Sequence, residues 1–329
     1  MKSFTKCISV VIINLDGEEA LRRCIESIEP DFVREIIVVD NFSTDGSLEM
    51  LRLNFPDVVI IRNHKNEGFA GPCNQGAANA TGEFLLFLNN DAKMTQGAIP
   101  KLLNAFDNNS IAAVAPKIIN THYELDSAGS FFTWTGFLHH LSSDDLAANN
   151  DNHDRFAVKG ACMLIKKRIF HEVGGFDGSF FAYFEETDLC WRLIAHKYRI
   201  LYVDGAVIEH LGGLTTRKIF PSSHIDYLSF RNRILAIRRN LSPGALFVVL
   251  PLHVVCCLAF ATAFMLSRKP KNAFAVLRGV LAGLSTPVSD LAPSQLRTPR
   301  TSLKQLKHVT VGIGIKSNYS TLKNYLVRW

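Results

Sequence analysis

Acidic side chains all but vanish from the rear of this 329-residue chain: residues 212–329 hold 17 Lys+Arg against 2 Asp+Glu, a net of +15, whereas residues 1–211 hold 19 against 28, a net of −9. A rear so poor in acid suits an anionic surface, membrane or nucleic acid. The acidic front argues against direct capture of a phosphate-bearing substrate by Arg and Lys, and favours handling through a metal. Cysteine motifs are missing too. Cys7, Cys24, Cys73, Cys162, Cys190, Cys256 and Cys257 form no CxxC pair and stand at no zinc-finger spacing from His, which leaves free thiols in a reducing compartment. The first strand-to-helix turn, residues 14–18, has a single glycine and no GxGxxG, against a dehydrogenase, and no GxxxxGK[ST] occurs, against a P-loop ATPase. The apolar stretch after Lys2 and Lys6 stops after six residues, too short for a signal-peptide core, so the front half is expected on the cytoplasmic side. Neither repeats nor low-complexity tracts are evident.

What is present is ample for a packed core, at 47% hydrophobic residues. Strand-like apolar runs at 9–13, 35–39, 58–61, 84–88 and 112–116 alternate with helical patterns at 18–27, 44–53, 71–80 and 97–106. This is the rhythm of an α/β fold, a mostly parallel sheet flanked by helices. Ser43 and Thr44 are placed to cap the second helix and Gly71-Pro72 to open the third. After Pro116 the rhythm weakens; the Asp-, Asn- and Ser-rich stretch 141–154 reads as a mobile loop, and order returns from 157 to about 211. Two regions are expected, a catalytic domain at 1–240 and a basic, hydrophobic membrane-association region at 241–329. Residues 244–266 are uncharged over 23 positions and long enough to span a bilayer. Arg231, Arg233, Arg238 and Arg239 precede them, and Arg268, Lys269 and Lys271 follow, so both flanks are positive. That favours a re-entrant or interface-lying hairpin over one clean crossing, with a buried core helix as the alternative. The shorter run 273–288 contains Arg278 and would span poorly.

Candidate chemistry collects at strand ends, where open α/β sheets bind ligands. Asn89-Asn90-Asp91 closes the run Phe84-Leu85-Leu86-Phe87-Leu88, and reads either as an ordinary turn or as a carboxylate and amide holding a divalent cation against a diphosphate. Asp40, ending Val38-Val39-Asp40, suits the imide N–H of uracil or thymine, or a capping turn like that of Asp45. The glycines of Asn66-Glu67-Gly68-Phe69-Ala70-Gly71 permit close approach to a nucleotide. Glu185, Glu186 and Asp188 open a helix after the aromatic run 180–184. Acids there stabilise the helix dipole, Asp188 can pair with Arg192, and an acid beside apolar rings can be raised toward base duty. His210, ahead of Gly212-Gly213, is either a loop histidine or a further metal ligand.

Taken in order, these motifs resemble the inverting family 2 glycosyltransferases, in particular the bacterial rhamnosyltransferase-like branch, over roughly residues 7–240. The likeness runs through Val10 to Gly17, Val38-Val39-Asp40-Asn41-x-Ser43-x-Asp45-Gly46-Ser47 and Asn66-x-Gly68-Phe69-Ala70-Gly71-x-x-Asn74-x-Gly76. It continues through Leu88-Asn89-Asn90-Asp91, Gly174-Gly175-Phe176-Asp177, Phe184-Glu185-Glu186-x-Asp188-Leu189-Cys190-x-Arg192 and His210-x-Gly212-Gly213. The resemblance implies a GT-A fold, a dTDP- or UDP-sugar donor, and Mg²⁺ or Mn²⁺. It puts Asp40 at the base contact, Asp91 and His210 at the metal and Glu186 at the acceptor hydroxyl; Asn14, Asn66, Gly68, Asn74, Asn89 and Asn90 join them as donor-binding candidates, Asn89 also as a metal ligand, and Asp188 beside Glu186 as a catalytic one. Two departures matter: Asn89 replaces the first Asp of the DxD-type motif, and Glu186 stands where Asp is common. No QxxRW signature of processive synthases occurs, which favours single-sugar addition. The expected partners are a lipid-linked glycan acceptor and a membrane surface at the cytoplasmic face of a bacterial inner membrane, in preference to nucleic acid. The rival readings are a nucleotidyltransferase and an inactive membrane scaffold.

Overall fold

A computed structural model describes residues 5–148, 153–212, 220–287, 299–306 and 310–311. The chain alternates β1 (Ile8–Asn14), α1 (Glu18–Glu26), β2 (Val33–Asp40), α2 (Ser47–Asn54), β3 (Val59–Arg62), α3 (Ala70–Asn79) and β4 (Phe84–Asn89). A short β5 (Ala92–Met94), α4 (Ala98–Asn104), β6 (Ile111–Ile119) and β7 (Leu125–Ser127) follow. Next come β8 (Ser130–Thr133), β9 (Leu138–His140), α5 (Ser143–Ala148), β10 (Cys162–Lys166), α6 (Lys167–Glu172), α7 (Glu185–Ala195) and β11 (Arg199–His210). The main sheet runs β3-β2-β1-β4-β10-β6-β11-β5, with β7 on β6. Its first four strands are parallel, as expected, but β10 inserts antiparallel between β4 and β6, and β5 lies antiparallel to β11. The sheet is therefore mixed. The expected mobile loop at 141–154 holds α5, and its residues 149–152 lie outside the described ones.

Alternation along the strands builds two cores. Val10, Ile12, Leu86, Leu88 and Leu164 face α1, α2 and α4, while Val11, Leu85, Phe87, Met163 and Ile165 face α3, α6 and α7. With both faces covered, β4 reads as an unbroken apolar run, and each such buried side chain contributes about 1.5–3 kcal/mol. Register then places the polar ends. Asn14 pairs across from Asp40, Ile13 from Asn89, and His210 from Ala92, so the three strand ends and the residue beside Asp91 meet at one rim.

Beyond the sheet, α8 (Ser222–Asn240), α9 (Pro243–Leu266) and α10 (Pro270–Ser285) pack together around Phe137, Phe230, Ile234, Phe260 and Phe264. Residue 301 returns to them: Trp191 Nε1 donates to Thr301 Oγ1 at 2.6 Å and Thr301 N to Asn240 O at 2.7 Å. The two-residue β12 (Thr310–Val311) joins β8.

Candidate active site

At one end of the rim a chain of short polar side chains surrounds Asp40. Asn90 Nδ2 donates to Asn14 Oδ1 at 2.8 Å, and Asn14 Nδ2 to Ser43 Oγ at 3.1 Å. Asp40 is fully buried; its Oδ2 accepts from Ser43 N at 3.2 Å, and its Oδ1 has no hydrogen-bond partner among the described residues. A buried carboxylate oxygen left with its acceptor capacity calls for an N–H donor. Ser43 and Thr44 do not cap α2, as the sequence had led one to expect. The Ser43 hydroxyl serves Asn14 and Asp16 N, Thr44 N is bonded to Asp16 Oδ1, and the helix opens later, where Asp45 Oδ1 accepts from Ser47 N at 3.0 Å.

The loop after β3 is fastened by Asn41, to which the sequence attached no role. Its Nδ2 donates to Asn66 Oδ1 at 2.9 Å and Gly68 O at 2.8 Å, and its Oδ1 accepts from Glu67 N at 3.0 Å and Asn63 Nδ2 at 3.1 Å. Gly68 has φ of 80°, and a Cβ there would lie 2.2 Å from Phe181 O, so only glycine fits. Asn74 holds the next turn. Its Nδ2 donates to Phe176 O at 2.7 Å and its Oδ1 accepts from Phe176 N at 2.9 Å. With both ends of the amide engaged, Asn74 clasps α3 to the Gly174–Asp177 turn.

Next along the rim, His210 Nε2 lies 3.3 Å from Asp91 Oδ1 and 3.4 Å from Asn89 Nδ2. On its other side Nδ1 lies 3.1 Å from Asp126 Oδ2, and Lys159 Nζ pairs with the same carboxylate. Burial favours the neutral ring, but the Asp126 and Asp91 carboxylates outweigh it and raise His210 above its ordinary range. Burial likewise opposes the charge of Asp126, yet His210 and Lys159 hold its carboxyl well below the usual range. The place between Asp91 Oδ1 and His210 Nε2 thus favours positive charge, a proton or a cation. Among the described residues no three His, Cys, Asp or Glu converge into a cage. Asp91 and His210 are donors of the kind that would hold a divalent cation, and Asp126 bonds the far side of the imidazole. Asp126 and Lys159 were not legible in the sequence; Gly213, the last position of the His210 motif, lies outside the described residues.

The third part is α7. Its N-terminus is set by residues 181–184, where Phe181, Tyr183 and Phe184 all have left-handed backbone, at φ of 51°, 69° and 72°. Glu186 Oε2 is buried and has no partner among the described residues, and Glu185 is buried beside it. Burial raises Glu186, against the pull of its own and Thr187's N–H groups and of Lys159; Glu185 is raised further, by burial and by the charge of Glu186. The Lys159-Gly160 segment borders both centres: a Cβ on Gly160 would lie 3.8 Å from Glu186, while Lys159 reaches Asp126. The expected catalytic part for Asp188 does not hold. Fully buried, it accepts from Arg192 Nε at 2.8 Å and Asn240 Nδ2 at 2.8 Å, so it braces the helix through the i,i+4 pair. Burial opposes its charge, but Arg192 and Arg239 hold its carboxyl below the ordinary value.

The mixed sheet and this rim define a glycosyltransferase of GT-A-like fold. The model of the family described as Glycosyl transferase family 2 matches residues 9–174, half of the chain, and the chain belongs to that family. Among curated proteins it is similar to the low-salt glycan biosynthesis hexosyltransferase Agl10 of Haloferax volcanii, 27% identical over 70% of this chain and 75% of the relative. It is also similar to the pre-mycofactocin glycosyltransferase of Mycobacterium tuberculosis, 26% identical over 73% of this chain but 51% of that protein. Among solved structures, GalNAc-T7 with UDP, GalNAc and Mn²⁺ superposes at a TM-score of 0.60, with 18% identity over 74% of this chain and 49% of the other. The mannosyltransferase PcManGT from Pyrobaculum calidifontis, in complex with GDP-Man and Mn²⁺, superposes at 0.56, with 14% identity over 86% of this chain and 88% of the other. Family membership decides against the nucleotidyltransferase reading. The match ends at residue 174, ahead of α7.

Proposed function

We propose that the protein transfers a single sugar, with inversion, from a nucleotide-diphosphate donor to a lipid-linked or cell-surface glycan. dTDP-rhamnose is the first donor to try and UDP-sugars the next. The observation that carries this is the sequence of sites along one rim: the Asp40 acceptor oxygen, the Asp91–His210 pair, and then Glu186 with an unpartnered, buried carboxylate oxygen. The Mn²⁺ complexes of two structural neighbours support a metal-assisted reading, and the glycan-biosynthesis name of the Haloferax relative supports a hexose donor and a glycan product.

In this reading Asp40 accepts the imide N–H of the base, with Asn14 and Asn90 holding the turn beneath it. Asn41 presents the Asn66–Gly68 backbone to the nucleotide. Asp91 and His210, with Asn89 beside them, would hold Mg²⁺ or Mn²⁺, which neutralises charge on the departing diphosphate. Glu186 takes the proton of the acceptor hydroxyl; the oxygen forms its bond to the anomeric carbon as the bond to the diphosphate oxygen breaks on the opposite face. The nucleoside diphosphate leaves with the bonding pair and the proton stays on Glu186.

Residues 1–240 serve as the catalytic region and 241–329 as the membrane-association region, at the cytoplasmic face of a bacterial inner membrane. Among the described residues α9 is the one helix long and apolar enough to cross a bilayer. Its buried positions Ala245, Val249, His253, Cys257, Phe260 and Phe264 run its whole length against the rest of the protein, and His253 Nδ1 donates to Thr135 O at 2.7 Å. The opposite side exposes Phe247, Val255 and Leu266, and α10 adds Phe274 and Leu281. A crossing would draw the Thr135 carbonyl and the Arg-rich α8 to bilayer depth, so the pair is read as lying in the interface plane, with Arg268 and Lys271 at the headgroups.

The test is a donor panel of dTDP-, UDP- and GDP-sugars with purified full-length protein, Mn²⁺ and polyprenyl-diphosphate-linked acceptors in phosphatidylglycerol vesicles. Release of nucleoside diphosphate from one donor, dependent on acceptor and cosedimenting with the vesicles, is the expected outcome. Failure to turn over or bind any donor would overturn the enzymatic reading; turnover with no vesicle binding would overturn the membrane part alone.

A further inference from the structure

Helix α8 supplies no group assigned to donor, metal or base, yet it grips the helix of Glu186 at two levels. Asn232 is fully buried, and its single amide nitrogen faces three carbonyls of the 180–184 strap: Phe180 O at 2.9 Å, Ala182 O at 2.9 Å and Tyr183 O at 2.8 Å. Its Oδ1 accepts from Arg231 Nη1 at 2.9 Å, and Arg231 also reaches Ser179 O at 3.3 Å. One residue on, the Arg233 guanidinium lies over the rings of Phe184, at 4.7 Å, and Phe137, at 4.4 Å. At the end of α8, Asn240 holds Asp188 at 2.8 Å and Arg239 pairs with Asp177.

The strap needs such a hold. Three of its residues are L-amino acids in left-handed backbone, which relaxes unless surrounding bonds over-determine it. The strap also touches the donor loop: Phe181 O accepts from Phe69 N at 2.5 Å and from Ala70 N at 3.4 Å. Phe184 then sets the entry of α7, two residues before Glu186. A single buried amide therefore fixes the segment that joins the donor loop to the first turn of the base helix.

We propose that Asn232 is the positioning residue of the acceptor-activating base, acting through the strap carbonyls to fix where Glu186 points. The proposal rests on the assignment of Glu186 above but adds a residue on an element beyond the family match.

The experiment uses the full chain with Asn232→Asp, which keeps size and replaces the amide nitrogen with an oxygen, and Arg231→Leu, which frees the Asn232 amide to turn and removes the bond to Ser179 O. Steady-state release of nucleoside diphosphate, calorimetric binding of that product, and amide hydrogen exchange are measured on each. Asn232→Asp is expected to lower kcat roughly a hundredfold, since a displacement of about 1 Å at the reacting group costs that much. Donor KM and product Kd should stay within about threefold, the signature of an interaction made at the chemical step. Exchange should rise at 180–187 and stay unchanged in β1 to β4, and Arg231→Leu should show the same pattern at about tenfold in kcat. An unchanged kcat, or kcat, KM, Kd and sheet exchange all failing together, would reduce Asn232 to a core residue and overturn the proposal. Should the wild type release nothing from any donor, the base assignment fails, and the exchange data still decide whether Asn232 holds the strap.

Discussion

Glu186→Gln is expected to lower kcat by about 10³-fold or more while nucleotide binding is preserved, because a positioned base contributes about 10²–10⁴. The substitution keeps the side chain's length and shape. It removes only the capacity to take a proton, at an oxygen that is buried and has no partner among the described residues. Burial raises the carboxyl of Glu186 above its ordinary range, so the ionised, active form is lost as pH falls through that raised value. The kcat of the wild type should therefore decline on the acid side at a pH above the normal carboxylate range, and the residual activity of Glu186→Gln should lack that limb. Calorimetry with the nucleoside diphosphate, beside a kcat–pH profile, checks both parts. A variant that retains wild-type turnover would remove Glu186 from the chemistry.

The second large effect is expected at Asp91. Asp91→Ala leaves His210 Nε2 without its carboxylate neighbour, and the affinity for a cation drops with it. Loss of charge stabilisation on a departing diphosphate costs about 10²–10³ in turnover. Mn²⁺ binding, followed by electron paramagnetic resonance in the presence of nucleoside diphosphate, should weaken in Asp91→Ala. In Asp126→Asn, which removes the carboxylate behind the imidazole and with it the partner of Lys159, it should weaken by about 10–100-fold. Metal binding unchanged in Asp91→Ala would place the cation elsewhere.

These effects separate what the chain displays in order from what only folding brings together. The apolar run of β4 was readable because both its faces are buried, and Asp40 and Asp91 because strand ends carry the polar residues of an α/β rim. The Asp188–Arg192 brace was visible as an i,i+4 pair, although its full burial, which removes it from catalysis, was not. Asp126 reaches His210 across 84 residues through the β6–β7 hairpin, in a stretch without clear periodicity, so no spacing could announce it. Asn232 lies mid-helix in an arginine-rich segment that reads as a membrane flank. The bonds of Asn74 to Phe176, 102 residues away, were hidden for a related reason: an Asn near a glycine-rich turn carries no sign of so distant a partner. The antiparallel insertion of β10 was equally hidden, since strand direction follows from the path of the chain and not from the apolar pattern of Cys162–Lys166.

The most direct measurement is the anomeric configuration of the product, read by proton NMR from a turnover with the donor that the panel identifies. An acceptor-bound sugar of anomeric configuration opposite to the donor's, formed at the rate of nucleoside diphosphate release and lost in Glu186→Gln, is the outcome that in-line attack by a Glu186-activated hydroxyl requires. Retention of configuration, or nucleoside diphosphate release that matches free sugar with no glycosylated acceptor, would contradict it.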